Sequence, residues 1–296
     1  MTHTAARFQV LLAALCFATT GTAQALGPSG TTPLGVGAAR ILVGGAILVA
    51  VALVRRRSGP PWAPTPVVAA VAGVAVYQLA FFAAVADTGV AVGTVVALGS
   101  APALAGLFEW LADGRRPHAR WAAATALAFA GVALLAFAGA GADVSPGGVA
   151  LAVTAGGAYA VYTLAAKRLL AAGHEPESVM AAAFGIGALV LVPVLIVSGP
   201  GWLLHADGIA LALFLGTVPT ALAYVLFARG LERLTASETA TLTLAEPLTA
   251  GVLGAVVLAE PLSAPALAGG GLVLAGLVAL AVKPPAPVAA PEPAPA

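Results

Sequence analysis

Residues 235–258 read TASETATLTLAEPLTAGVLGAVVL, and residues 90–113 read VAVGTVVALGSAPALAGLFEWLAD. Laid over one another at a shift of 145 residues, they superimpose Thr94 on Thr239, Pro102 on Pro247 and Gly106 on Gly251. The same shift carries Phe82 onto Phe227 and Gly131 onto Gly276, which marks an internal repeat. Each quoted stretch is an apolar run near the ~20 residues that a helix needs to cross hydrocarbon, interrupted by one proline.

Working outward, ten such runs can be drawn, at 8–26, 33–54, 66–86, 89–111, 121–139, 147–166, 178–197, 208–228, 236–258 and 264–282. Loops rich in glycine, proline, serine or charge separate most of them, as at Gly27-Pro28-Ser29-Gly30 and Ser198-Gly199-Pro200-Gly201. Composition demands the same reading. Of 296 residues, 60% are hydrophobic and 8% charged, with mean hydropathy +1.02, so charges are too few to cover a soluble globule and the bilayer is the solvent. A net charge of +1 offers nucleic acid no electrostatic footprint. The single Cys16 lies in an apolar run and reads as a packing residue, which excludes an intramolecular disulfide or a cysteine-based metal site. No metal and no cofactor is expected.

Basic residues in short loops stay cytoplasmic, and this rule converts the spans into a topology. With the N-terminus inside, the inner segments hold Arg7, Arg55, Arg56, Arg57, Arg115, Arg116, Arg120, Lys167, Arg168, Arg229, Arg233 and Lys283, which is twelve of the thirteen Lys and Arg. The outer loops hold Asp87, Asp143, Asp207 and Glu260 instead. Both ends of the chain are therefore expected in the cytoplasm, with the protein multi-pass in the cytoplasmic (inner) membrane. Arg7, the first apolar run and Ala23-Gln24-Ala25 also resemble a secretory signal, but the run is long for one and the repeat requires it as a first helix.

The expected fold is all-α and integral to the membrane: ten helices as two inverted five-helix repeats, at 8–139 and 147–282. Five is odd, so the halves enter the membrane from opposite sides. Gly114-Arg115-Arg116-Pro117 overlays Ala259-Glu260-Pro261-Leu262, a basic inner loop on an acidic outer one. Inverted repeats recur in secondary transporters, with the substrate site near the midplane. Residues 283–296 (KPPAPVAAPEPAPA) are too rich in proline to continue a helix and read as a disordered cytoplasmic tail.

These features resemble the drug/metabolite transporter superfamily, in its ten-helix branch built of two EamA domains. The resemblance rests on Arg40 in the second span, Pro102 and Pro247, Glu246-Pro247, the glycines from Gly269-Gly270-Gly271 to Gly276, and Glu260 with Pro261-Leu262. Arg115 departs from it where the family carries glutamate, and Phe17 and Tyr159 stand near positions where tryptophan is common. The resemblance implies secondary export of small metabolites or drugs, often amino acids or their relatives, through a central cavity.

The polar residues inside spans are the candidates to line that cavity. In the ninth span Thr235, Glu238, Thr239, Thr243, Glu246 and Thr249 form one stripe, and a stripe of this kind faces helices or water rather than lipid. Glu246, near mid-membrane, reads either as a helix-packing carboxyl or as a cavity residue that exchanges a proton. Pro247 lacks an N–H and is expected to leave the Thr243 carbonyl without its helical donor; Pro102 marks the matching kink, with Ala101 in place of the acid. Arg40 is the only basic residue within a span and either snorkels outward or finds an acidic or anionic partner, Glu246 being a candidate. Thr20 and Gln24 share a face in the first span, Tyr159, Tyr162 and Thr163 in the sixth, and Thr217, Thr220 and Tyr224 in the eighth, while Tyr77 and Gln78 come from the third. Together they suit a zwitterion or a polar aromatic, although tyrosine in a membrane helix also serves as an anchor or packing residue.

No Walker A sequence is present, so the drive comes from a gradient, protons being the candidate, or transport is passive. No H-E-x-x-H or G-x-S-x-G motif occurs, and no catalytic residue is assigned, so the chain is not expected to be an enzyme. An intramembrane enzyme and a passive channel or uniporter are the alternatives to a secondary transporter. Monomer and homodimer are both compatible with the sequence.

Overall fold

The computed structural model describes residues 2–55, 59–114, 116–137, 145–259 and 263–281. Arg56, Arg57, Arg115, Asp143, Glu260 with Pro261-Leu262, the tail at 283–296 and the last residues of both expected repeats (138, 139 and 282) lie outside the described residues.

All regular structure among the described residues is helical. The ten helices are α1 (His3–Ala25), α2 (Pro33–Val54), α3 (Pro64–Gly89), α4 (Val92–Asp113), α5 (Ala119–Phe137), α6 (Pro146–Ala171), α7 (Pro176–Val197), α8 (Ala206–Leu231), α9 (Ala236–Val257) and α10 (Ala264–Ala281). Eight of them are long and apolar enough to cross a membrane, and α5 and α10 are shorter apolar helices. Every run drawn from the sequence falls on one of these ten. Large apolar side chains such as Val68, Leu189, Ile196, Val256 and Leu267 are exposed on the outside, as a lipid solvent allows.

Local chemistry fixes where the helices begin. Thr2, Thr32, Ser145 and Thr235 accept a hydrogen bond from the backbone N–H three residues on, and proline opens α2, α3, α6 and α7, where its missing donor costs nothing. Between α3 and α4 the chain turns at Gly89 (φ 82°, ψ 161°), backbone space that a side chain would strain. A turn of π-helix interrupts α7 at Ala181–Gly185 and α8 at Thr217–Leu222, the second around Pro219.

Helices α3 and α4 pack on α6, α1 packs on α8 and α9, α2 on α7 and α8, and α5 on α10. Polar links gather at one end of the bundle. There Arg7 Nε donates to Glu238 at 2.7 Å, Arg55 Nη1 to Glu177 at 3.1 Å, and Arg229 also to Glu177. Glu109 accepts from the backbone N–H groups of Ala236 (2.6 Å) and Ser237 (3.2 Å), and Lys167 Nζ donates to the carbonyls of Leu231 and Glu232 at 2.8 and 2.9 Å. Arg120 Nη2 donates to the carbonyl of Ala279 at 2.6 Å. These links join the starts of α1, α5, α7 and α9 to the ends of α2, α4, α6, α8 and α10, so the helix ends rich in basic residues lie on one face.

Candidate functional site

Rings from five helices meet in the middle of the bundle. Tyr162 of α6 lies 5.7 Å from Phe184 of α7 and 6.1 to 6.2 Å from Phe227 and Tyr224 of α8, measured between centroids. Phe17 of α1 packs on Tyr224 at 4.9 Å, and Tyr77 of α3 stands 6.0 Å from Tyr159. Most of these pairs are tilted or edge-on, the arrangement that aromatic quadrupoles favour. The hydroxyl of Tyr159 faces that of Thr243 at 3.5 Å, a long contact, and Tyr162 donates to the sulfur of Met180 at 3.3 Å.

Two opposite charges border this cluster. Arg40 and Glu246, both half-buried, act electrostatically on one another and each on Tyr77 and Tyr224. Yet no ion pair within 4 Å joins them, and neither side chain makes a hydrogen bond among the described residues. A guanidinium and a carboxylate at this depth cost at least about 2.5 to 3.5 kcal/mol each by insertion scales, and they offset that cost only by meeting opposite charge or water.

Gln78 adds a second open valence. It is 3% exposed, and neither its carbonyl nor its amide has a partner among the described residues. One turn before it Val74 packs on Gly187 of α7, and one turn after it Phe82 packs on Gly37 of α2, so Gln78 lies on the face of α3 turned to those two helices. Leaving such a group unpaired costs about 1 to 3 kcal/mol, which a ligand that hydrogen-bonds it would return.

Helix α9 brings Glu246 to this place by a break rather than a smooth stripe. Leu244 N–H donates to Thr241 O (3.1 Å) and Glu246 N–H to Thr243 O (2.9 Å), both three residues back, and α-helix resumes at Ala245. The Thr243 carbonyl therefore has a donor, contrary to the expectation from Pro247. The threonine hydroxyls turn inward on their own helix, Thr239 to Thr235 O, Thr243 to Ala240 O and Thr249 to Ala245 O, at 2.7 to 2.9 Å.

Of the residues singled out in the sequence, Arg40, Tyr77, Tyr159, Tyr162, Tyr224, Thr243 and Glu246 are brought together. Thr239 is fully buried beneath them. Thr20 and Gln24 are half-buried one and two turns beyond Phe17 on α1. On the same face, a side chain added at Gly21 would meet nothing within 4 Å, so the bundle is filled at Phe17 and open one turn further from the ion-paired end. Thr217 is exposed, while its turn-mate Thr220 is buried and donates to Leu215 O at 2.8 Å. Pro102 sits inside α4. The sequence reading missed the contributions of Phe184 and Phe227; the overlay of Phe227 on Phe82 was the available signal. Among the described residues, no group of three His, Cys, Asp or Glu could hold a metal ion.

The chain matches the EamA-like transporter family over residues 5–137 and again over 146–282. It is 43% identical over 240 residues, 81% of either chain, to the Bacillus subtilis (strain 168) protein called "Uncharacterized transporter YwfM". A chain of known crystal structure superposes with a TM-score of 0.81, over 94% of this chain and 96% of that one; at 23% identity the likeness shows the fold alone.

Proposed function

The chain belongs to the EamA-like transporter family and is a membrane transporter, and from that premise we propose that it is a secondary carrier exporting small amphoteric metabolites, amino acids or close relatives, by alternating access with proton coupling. The observation that carries this reading is the unjoined pair Arg40 and Glu246 against a wall of tyrosines, with Gln78, next in sequence to Tyr77, buried and without a partner among the described residues. A zwitterion presents a carboxylate to the guanidinium and an ammonium to the carboxylate, and its uncharged part lies on the rings. Charge that is unmatched in the empty site is then matched in the loaded one.

The two stretches matched by the family, 5–137 and 146–282, support two five-helix halves that rock against each other around this centre. The gathering of basic helix ends on one face supports a cytoplasmic location for that face and for both ends of the chain. The site residues proposed are Thr20, Gln24, Arg40, Tyr77, Gln78, Tyr159, Tyr162, Thr217, Tyr224, Thr239, Thr243 and Glu246, with Arg40, Gln78 and Glu246 setting orientation.

The test is flux through purified protein in vesicles, across a panel of amino acids, their amides and their decarboxylated amines, with and without an imposed pH gradient. Saturable, gradient-driven flux of substrates bearing both charges is expected. Flux of amines and neutral amides equal to that of the zwitterions would remove the amphoteric assignment, and flux indifferent to every gradient would leave a passive uniporter.

A further inference from the structure

We propose that the bundle carries a charge latch at its basic end, centred on Glu177 and Glu238, and that this latch makes the form closed at that end the resting conformation of the carrier. The proposal rests on the alternating-access reading above.

The latch consists of bonds between the two halves, braced by one within the second. Glu177 of α7 holds Arg55 from the end of α2 across the halves and Arg229 from the end of α8 within its own half, and its own side chain is only 8% exposed. Arg7 of α1 holds Glu238 of α9, and Glu109 of α4 accepts from the first backbone N–H groups of α9. Charge-assisted hydrogen bonds are roughly twice as strong as neutral ones, and partial burial shields these from screening.

Among the described residues the other end has no counterpart. Thr2 and Ser145 cap α1 and α6, Pro33 and Pro176 open α2 and α7, and Arg55 and Ser198 end them, each pair 143 positions apart. By that spacing Glu177 corresponds to Leu34, Arg55 to Ser198 and Arg7 to Ala150. By the 145-residue shift of the later helices, Arg229 corresponds to Ala84, Glu238 to Gly93 and Glu109 to Gly254. None of these six can ionise. Across the halves at that end the described residues offer one hydrogen bond from a hydroxyl, Ser145 to Asp87 at 2.6 Å.

Inverted repeats make the opposite closure by exchanging the conformations of the two halves, so equivalent positions meet at the opposite end. Here that exchange breaks the charge-assisted bonds that cross between the halves at one end and forms no ion pair from the equivalent positions at the other. The equilibrium therefore leans toward closure at the basic end, and a substrate entering from that side must first displace the latch.

The test uses two reporter cysteines in a Cys16→Ser background: Ala240→Cys, 1% exposed in α9 behind the latch, and Gly21→Cys on the open side. Alkylation by a membrane-impermeant maleimide is timed from each side of oriented vesicles. With the latch intact, Gly21→Cys reacts quickly from the far side and Ala240→Cys slowly from the basic side. Glu177→Gln should raise the rate at Ala240→Cys about tenfold and lower it at Gly21→Cys, the reciprocal change of a shifted population. Arg55→Gln, which removes the ion pair that Glu177 makes across the halves and leaves its pairing with Arg229 within the second half, should shift both rates in the same direction and keeps the test decisive if Glu177→Gln does not accumulate. Rates unchanged by both variants, or raised at both cysteines together, overturn the latch while leaving alternating access standing. Cysteines unreachable from either side in every variant overturn the latch and alternating access together.

Discussion

Gly131 of α5 and Gly276 of α10 are images of each other. A side chain at Gly131 would meet the backbone at Gly269 (2.5 Å) and Val273 (2.6 Å); one at Gly276 would meet the backbone at Ala124 (2.7 Å) and Ala128 (2.8 Å). Gly269 and Val273 are Ala124 and Ala128 carried on by the same 145 positions that separate the two glycines. A contact that maps onto itself when the halves are exchanged is what a two-fold relation between them produces, and here it lets two helix backbones approach closely.

Valine at either glycine should therefore destabilise the protein by about 1 to 3 kcal/mol, with similar effects at the two sites, because no flexible side chain can yield. Alanine at Gly271, where an added side chain meets nothing within 4 Å, should be nearly silent. Thermal unfolding in detergent compares the three. A large loss at one of the paired glycines and none at the other would argue against the symmetry.

Gln78→Met should raise stability by about 1 kcal/mol, since it removes a buried amide and carbonyl that have no partner among the described residues and keeps the volume. Transport should fall with the same substitution, because the ligand loses the group that orients it. Stability measured without substrate and flux measured with it are expected to move in opposite directions. A loss of stability would show that Gln78 is a packing residue after all.

Much of this architecture was legible in the sequence because the bilayer writes it there. A span must be apolar for about 20 residues, and twelve of thirteen basic residues fall at ends assigned to one side. The candidate pair Arg40 and Glu246 was legible for a similar reason, charge inside a span being rare enough to draw attention. The features that stayed hidden depend on contacts that no local pattern encodes. Glu177 finds Arg55 and Arg229 across 122 and 52 residues of chain, and the missing partners of Gln78 are a property of its neighbours. The stripe drawn along α9 assumed 100° per residue throughout, whereas the three-residue bonds at Leu244 and Glu246 tighten the turn and rotate the rest of the helix relative to its start.

That tightened turn is the basis of a prediction about Pro247. Alanine there restores an N–H that can donate to Thr243 O, the acceptor now taken by Glu246 N–H. α9 should straighten, turning Glu246 away from the tyrosines, and flux should fall severalfold at near-normal expression. Pro102→Ala in α4, where the adjacent residue is Ala101 rather than an acid, should cost less flux. Equal flux in both variants and in the unaltered protein would reduce the two prolines to structural punctuation.

Glu246 carries the most specific prediction, because it stands by the tyrosines with no hydrogen-bond or ion-pair partner among the described residues. Glu109 is bound to two backbone N–H groups, Glu177 to two guanidiniums and Glu238 to Arg7, so each of these is committed to holding helices together. In the proposed cycle this carboxyl, which feels Arg40 across a gap, binds a proton when the site is empty and releases it when a substrate ammonium arrives. Glu246→Gln keeps the shape and fixes the neutral form. It should abolish the response of net transport to an imposed pH gradient while leaving substrate exchange between equal pH measurable, and Glu246→Asp should retain part of the coupling. Vesicle flux at several imposed gradients reads all three. A glutamine variant still driven fully by the gradient would take Glu246 out of the coupling step and return the search to another ion or to uniport, with Arg40 then left to bind the substrate carboxylate alone.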